Sequence, residues 1–321
     1  MRIRPLAALS VAALSAVLLA GCSSSNTPDA DSTPTPTATS SDCGLDPKSG
    51  SDSDAITVSG SAPSLTAQAP TDLAFTELQR TTATKGDGDD LASGQLVSGQ
   101  YIVLDPSTGE VAMDSATTSP DDSGLVPIIV NASSIFGTGV LCTPLGSTTS
   151  LTIPGSMLSE GASNVVVVMQ TVEQLPTIAT GADQEPVAGM PEVALDEDGK
   201  PTITVADDFT APDTTQIEVL KKGDGPTVNS GDQVFVQYLG VLPDGTEFDS
   251  SWSRGEPTSF QTTGVVQGFQ KALEGQTVGS QVVAVIPAAE GYGDQAQGEI
   301  PANSPLIFVV DILGVQHTPQ Q

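Results

Sequence analysis

Tyr238, Phe248, Asp249, Phe269, Tyr292 and Phe308 set aromatic rings beside a single carboxylate in the C-terminal half of this chain. Rings that wall a hollow, with a few polar groups to fix orientation, describe a binding pocket. Covalent or metal chemistry has little material here. The one histidine, His317, has neither a second histidine nor a close cysteine pair for zinc, and no triad to join. No metal and no cofactor is therefore expected. Each group also has a plain structural reading. Phe269 and Phe308 alone would be core residues, Tyr238 could satisfy its hydroxyl inside a sheet, and Asp249 could cap a turn with Ser250 and Ser251.

The elements that hold these groups follow from local pattern. Val234, Val236 and Tyr238 alternate with Phe235 and Gln237, which predicts a half-buried strand. Asp244-Gly245 is a hairpin turn signal, since Gly accepts the positive φ required there, and it returns Phe248 and Asp249 towards Tyr238. Val265 to Gly275 predicts one short helix: Val266, Phe269 and Leu273 recur at steps of three and four, and Gly275 stands at the C-terminal cap. Strands are predicted over 281–286 and 306–313, the second with Leu306, Phe308, Val310 and Ile312 on one side. Glu290-Gly291-Tyr292-Gly293 and Ile300-Pro301 lie between them. Several strands and a single helix predict an α+β fold, an antiparallel sheet wrapped over the helix.

A chain of 321 residues has room for two or three such units. Aromatic residues make up 4%, so Leu, Val, Ile and Ala must form the core. Ten Lys and Arg against 39 Asp and Glu leave a formal charge of −29. That surface repels phosphate backbones and anionic headgroups, which excludes nucleic acid as a partner.

Arg2 and Arg4 precede an apolar run that ends Leu19-Ala20-Gly21-Cys22, an export signal too short and wrongly flanked to span a membrane. The ending is similar to a bacterial lipobox, in which the cysteine, here Cys22, is lipidated; the alternative is a plain secretory signal. A lipid anchor would be the only tie to the membrane, and would place the protein in the cell envelope, on the outer face of the cytoplasmic membrane. Residues 22–54, rich in Ser, Thr, Pro and Asp at the start, are expected to be a disordered tether. Cys43 and Cys142 remain. In an oxidising compartment two leftover thiols suggest one disulfide, and their long spacing argues against a redox-active pair.

The chain also repeats itself. Lys85-Gly86-Asp87-Gly88, Ser93-Gly94 and Tyr101 recur as Lys222-Gly223-Asp224-Gly225, Ser230-Gly231 and Tyr238, 137 residues on. Phe136, Leu145-Gly146-Ser147 and Ile153-Pro154 recur 133 residues on as Phe269, Val278-Gly279-Ser280 and Ile286-Pro287. Residues 55–181 are thus expected to copy the fold of residues 201–317, with the acidic stretch 182–200 as linker and Pro201 to Val205 as an extra leading strand.

Tyr238, Gly240, Asp244-Gly245, Phe248-Asp249-Ser250-Ser251, Arg254, Val266, Gly268-Phe269, Gly275, Val278-Gly279, Ile286-Pro287, Gly291-Tyr292-Gly293, Ile300-Pro301 and Phe308 follow in order and spacing a known pattern. It resembles the FKBP family, the macrolide-binding peptidyl-prolyl isomerases. The resemblance covers roughly 100 residues. It implies two FKBP-like domains, the first degenerate, and an isomerase acting on X-Pro bonds of exported polypeptides. In that reading the catalytic group is Tyr238, Phe248, Asp249, Arg254, Phe269 and Tyr292. The proline ring sits on Phe269, Val265, Val266, Ile300 and Phe308 complete the substrate walls, and Arg254 braces Asp249. Aligning Asp114-Ser115 with Asp249-Ser250 puts Met113 at the Phe248 position; nothing in the first copy matches Arg254 or Tyr292. Phe269 stands where many members carry an indole, Thr258 where an aromatic often closes the rim, and the loop 294–299 is short, so macrolide binding is expected to be weak. The alternative function is a non-catalytic envelope chaperone or partner-binding lipoprotein.

Overall fold

The computed structural model describes Cys43 and residues 47–318. The export signal, Cys22 and the tether as far as residue 42 lie outside the described residues. Gln233–Val241 is the central strand of the second of two main sheets. It pairs along its length with the closing strand Leu306–Gln316, which pairs in turn with Gln281–Ile286 and then Gln216–Lys222. On its other side it carries Glu247–Ser250 at one end and Thr258–Gln261 at the other. All pairings are antiparallel. The first sheet has the same order: Gln79–Thr84, Thr148–Ile153, Val165–Leu175, Leu96–Leu104 and Val111–Asp114, with Val126–Ile129 on the far end of Leu96–Leu104. Each sheet curls over one short helix, Ile135–Val140 in the first lobe and Gln267–Leu273 in the second.

The central strand is buried on both faces, not one. Val234, Val236 and Tyr238 pack towards the helix residues Phe269, Ala272 and Leu273. Leu239 and Val241 face the other way, against Val283, Val285, Ile307 and Val309. What covers that outer face is the segment expected to be a linker. Glu192–Leu195 and Pro201–Thr204 form a hairpin whose Val193 and Ile203, with Phe209, lie on the outer face. Pro201–Thr204 is therefore not a leading strand of the main sheet; its partner is its own hairpin. The first lobe uses the same device, with Thr57–Ser59 and Thr66–Gln68 lying over Ile102, Leu104, Val166 and Val168. An apolar sheet needs both faces covered, and alternating β-branched residues declare only that the strand exists.

The tether ends earlier than expected. Residues 51–54 form one helical turn, its Ser53 and Asp52 N–H groups bonded to Gln79 Oε1, and Ser53 is fully buried. Cys43 is joined to Cys142 with their Cα atoms 5.8 Å apart. The second-lobe helix is shorter than predicted. Val265 and Val266 stay extended, the Val266 carbonyl accepts the first helical N–H from Gln270, and Gly275 takes φ +82° beyond the end. Two consecutive β-branched residues favour that extended entry.

The lobes touch through Leu96, Phe235 and Leu313, all buried. The closing strand also reaches across, as Gln316 Nε2 donates to the Tyr101 hydroxyl at 2.8 Å and to Thr118 at 2.9 Å. The segment joining the lobes is tied to the second sheet at Asp311, which accepts from the Ala179 N–H at 2.9 Å and from Gln281 at 2.6 Å. Burial pushes the Asp311 carboxyl up to about 6, against the lowering effect of those hydrogen bonds. A raised folded-state pKa gives stability that is present at low pH and lost as pH climbs through it. Asp311→Asn removes the buried charge; its single side-chain oxygen accepts the Ala179 N–H, and its amide N–H₂ donates to Gln281 once that side-chain amide is turned over. We expect it to match the wild type near pH 4 and exceed it by roughly 2–3 kcal/mol above pH 6, in urea unfolding followed across that range. A difference independent of pH, or a loss at neutral pH, would contradict this account.

Candidate active site

On the helix side of the second sheet, the residues expected to form the pocket walls converge. Tyr238, Phe248, Asp249, Val265, Val266, Phe269, Tyr292, Ile300 and Phe308 line one cavity of about 430 Å³. Arg254 stands behind Asp249 rather than in the lining. The rings pack edge to face and tilted: Phe269 to Phe308 at 4.7 Å, Phe248 to Phe308 at 5.3 Å, Tyr238 to Phe269 at 6.1 Å between centroids. Such arrangements are favoured by the ring quadrupoles and fix the wall shape.

The carboxylate is held at both oxygens. Arg254 Nη1 donates to Asp249 Oδ1, the Tyr238 hydroxyl donates to Asp249 Oδ2, and Arg254 Nη2 donates to the Tyr238 hydroxyl at 2.9 Å. The guanidinium carbon also lies 5.4 Å from the Tyr238 ring centre. Burial, followed by the bond to Asp249, pushes the Tyr238 hydroxyl up to about 12, so it stays protonated and keeps donating. The ion pair is nearly half exposed, with side-chain exposures of 46% and 45%. It therefore adds at most ~1 kcal/mol of stability, and its value lies in aiming the carboxylate.

Local structure explains the placement. Ser251 opens a helical turn and accepts the Tyr238 N–H at 2.7 Å, which locks the returning strand against the central one just past Asp249. Gly240 faces the pocket, where a Cβ would come within 2.7 Å of Phe248 and 2.8 Å of Phe308. Only glycine leaves room there for both rings. Glu290 fixes the loop that carries Tyr292, receiving Lys271 Nζ at 2.8 Å and the Thr215 hydroxyl at 2.5 Å. Those bonds, Lys271 foremost, hold the Glu290 carboxyl down at about 2.

Two features escaped the sequence reading. Phe260 joins the ring cluster, 5.6 Å from Tyr238 and 5.8 Å from Phe269. Thr258, expected at the pocket rim, lines a different cleft. The alternation Thr258, Ser259, Phe260 was the available signal. The rim is completed by Gln297, Gly298 and Glu299.

The first lobe's counterpart is shifted by one residue from the sequence alignment. The Tyr101 N–H bonds Ser115 Oγ at 2.8 Å, as that of Tyr238 bonds Ser251, and Val103 faces Met113 as Gly240 faces Asp249. Met113 thus stands at the Asp249 position and Ala112 at that of Phe248. Thr118 occupies the place of Arg254, fourth in the turn that follows.

A family model described as FKBP-type peptidyl-prolyl cis-trans isomerase matches residues 225–313, the stretch that holds this pocket. FK506-binding protein 1 of Debaryomyces hansenii is 43% identical over 113 residues, 33% of this chain and 99% of that protein. The chain belongs to the FKBP-type peptidyl-prolyl cis-trans isomerase family. FkpA of Escherichia coli (strain K12) is 40% identical over 103 residues, 32% of this chain, and the match spans about two fifths of the relative, 38%. The crystal structure of FkpA from Escherichia coli aligns with 34% identity over 40% of this chain and 53% of that one, with a TM-score of 0.32.

If the rings form the working surface, displacing them should matter more than losing stability. Gly240→Ala is expected to push Phe248 and Phe308 apart and to lower kcat/KM on a proline tetrapeptide by roughly 10- to 100-fold, since misplacements near 1 Å can cost that much. Unchanged turnover in a folded variant would show that the rings tolerate the shift.

Proposed function

We propose that the second lobe is a peptidyl-prolyl cis-trans isomerase for X-Pro bonds of exported polypeptides. The supporting observation is Asp249, fixed by Tyr238 and Arg254 at the mouth of a cavity walled by Phe248, Phe269 and Phe308. An X-Pro bond faces a barrier of ~18–20 kcal/mol and exchanges unaided over tens of seconds. Its planar form is the more polar one and is favoured by water; a dry apolar pocket relatively favours the twisted form. The proline ring would rest on Phe269, between Tyr238, Phe248, Val265, Val266 and Phe308. The Val266 N–H and the Tyr292 hydroxyl would each take a substrate carbonyl. Asp249 would lie against the carbonyl of the turning amide, and because it is already held by two donors it need not reorganise as the bond twists. Lowering the barrier by ~5 kcal/mol would accelerate exchange by roughly 10³–10⁴.

The same reading makes the first lobe a degenerate copy that has lost its acid to Met113 and its arginine to Thr118. It keeps lipidation at Cys22, after removal of residues 1–21, as the anchor to the outer face of the cytoplasmic membrane. The disulfide of Cys43 with Cys142 suits an oxidising compartment. Macrolides would bind weakly, since Phe269 offers a smaller floor than an indole.

The test is cis-to-trans exchange of a proline tetrapeptide with the full chain. Acceleration is expected, and Asp249→Ala should lower kcat/KM by at least about tenfold, ~1.4 kcal/mol of barrier, while leaving the fold intact. No acceleration, or an unaffected Asp249→Ala variant, would overturn the proposal.

A further inference from the structure

The ring-lined cavity has a larger neighbour. That cleft, of about 850 Å³, opens between the lobes. Its floor is the first lobe's counterpart of the prolyl pocket. Tyr101 and Phe136, at the positions of Tyr238 and Phe269, pack tilted at 36° with centroids 4.3 Å apart, and Ile128 lies beside them. Val111 and Met113 border it with 53% and 49% of their surface open to solvent, although both are large and apolar. The second lobe supplies the facing wall with Phe235 and Pro257.

This cleft has kept the rings and lost the means of acting on an amide. Met113 replaces the acid, Thr118 replaces the arginine, and the Tyr101 hydroxyl is engaged by Gln316 of the other lobe. Its charges have one sign. Asp114 and Glu256 line it, no Lys or Arg does, and His317 is paired with Asp232 at 2.8 Å. The strand Thr258–Gln261 is a shared partition, since Thr258 and Ser259 line this cleft and Phe260 lines the prolyl cavity.

We infer that the inter-lobe cleft is a second polypeptide-binding site, one that holds without catalysing, and that its occupant is an extended unfolded segment with apolar side chains flanked by Lys or Arg. Exposed aliphatic and aromatic side chains give such a segment its affinity. The acidic lining and the net charge of −29 select for basic flanks and against acidic ones. The common partition lets one chain occupy the cleft while a nearby X-Pro bond lies in the other cavity.

The probe is a fluorescently labelled peptide of about ten residues alternating Leu and Lys and lacking proline, long enough to cross the cleft when extended. Its anisotropy is followed with the full chain. We expect saturable one-to-one binding that weakens with added salt. The double variant Val111→Ser, Met113→Ser, both surface positions, should weaken it at least about tenfold, or ~1.4 kcal/mol, while tetrapeptide isomerisation stays at the wild-type rate. Asp249→Ala should bind the probe like the wild type, which separates failure of this site from failure of the prolyl site. Undiminished binding by the double variant, loss of binding in Asp249→Ala, or equal binding of a Leu-Glu peptide would overturn the inference. So would sedimentation showing a dimer that the double variant abolishes, since the cleft would then belong to a second copy of the chain.

Discussion

The pairing of Gln233–Val241 with Leu306–Gln316 governs almost everything else in the second lobe. It sets Gly240 opposite Phe308 and Tyr238 opposite Val310, so the register decides which rings meet. A slip of the central strand by one residue would turn Tyr238 to the outer face and bring Leu239 into the pocket, while Phe308 stayed where it is. Burial on both sides resists that slip. Valines and isoleucines fill the outer face under the hairpin 192–204, while the helix and the aromatic cluster fill the inner one. The pocket is therefore not an addition to the core. Phe269 and Phe308 belong to both, which is why their role as core and their role as walls were hard to separate from sequence.

Much of the site was legible because it is built from short, ordered stretches. The turn at Asp244-Gly245 announced that Phe248 and Asp249 return beside the central strand, and the structure closes that turn with Gly245 at φ +85°. The spacing of Val266, Phe269 and Leu273 announced the helix. Phe260 was less visible, because a four-residue strand gives too few alternations to say which side its aromatic takes. The covers over the two sheets were missed for a different reason. An acidic segment with Pro186 and Pro191 has a linker's composition, and only the demand of an apolar outer face for a partner reveals Val193 and Ile203 as packing residues.

The two lobes share one strand order and differ in the side chains at the corresponding positions. The pairing of Leu96–Leu104 with Val165–Leu175 survives, as do the buried serine that follows the returning strand and the tyrosine beside it. The first lobe differs in groups that a sheet does not need: Met113 and Thr118 stand where the second lobe has a carboxylate and a guanidinium. Tyr101 would be left with an unpaired buried hydroxyl, and Gln316 supplies the missing partner from the neighbouring lobe. The tyrosine hydroxyl that holds a carboxylate in the second lobe is, in the first, tied to the neighbouring lobe.

The bond between Cys43 and Cys142 has a mechanical consequence. Tension arriving from the residues ahead of Cys43 divides at that sulfur, and the stiff covalent branch delivers it to the end of the helix Ile135–Val140, beyond the hairpin 57–68 and the strands up to residue 129. Those elements are shunted out of the load path. The second lobe feels a pull only through its own boundary with the first, so its aromatic cavity can keep its shape while the chain is under strain.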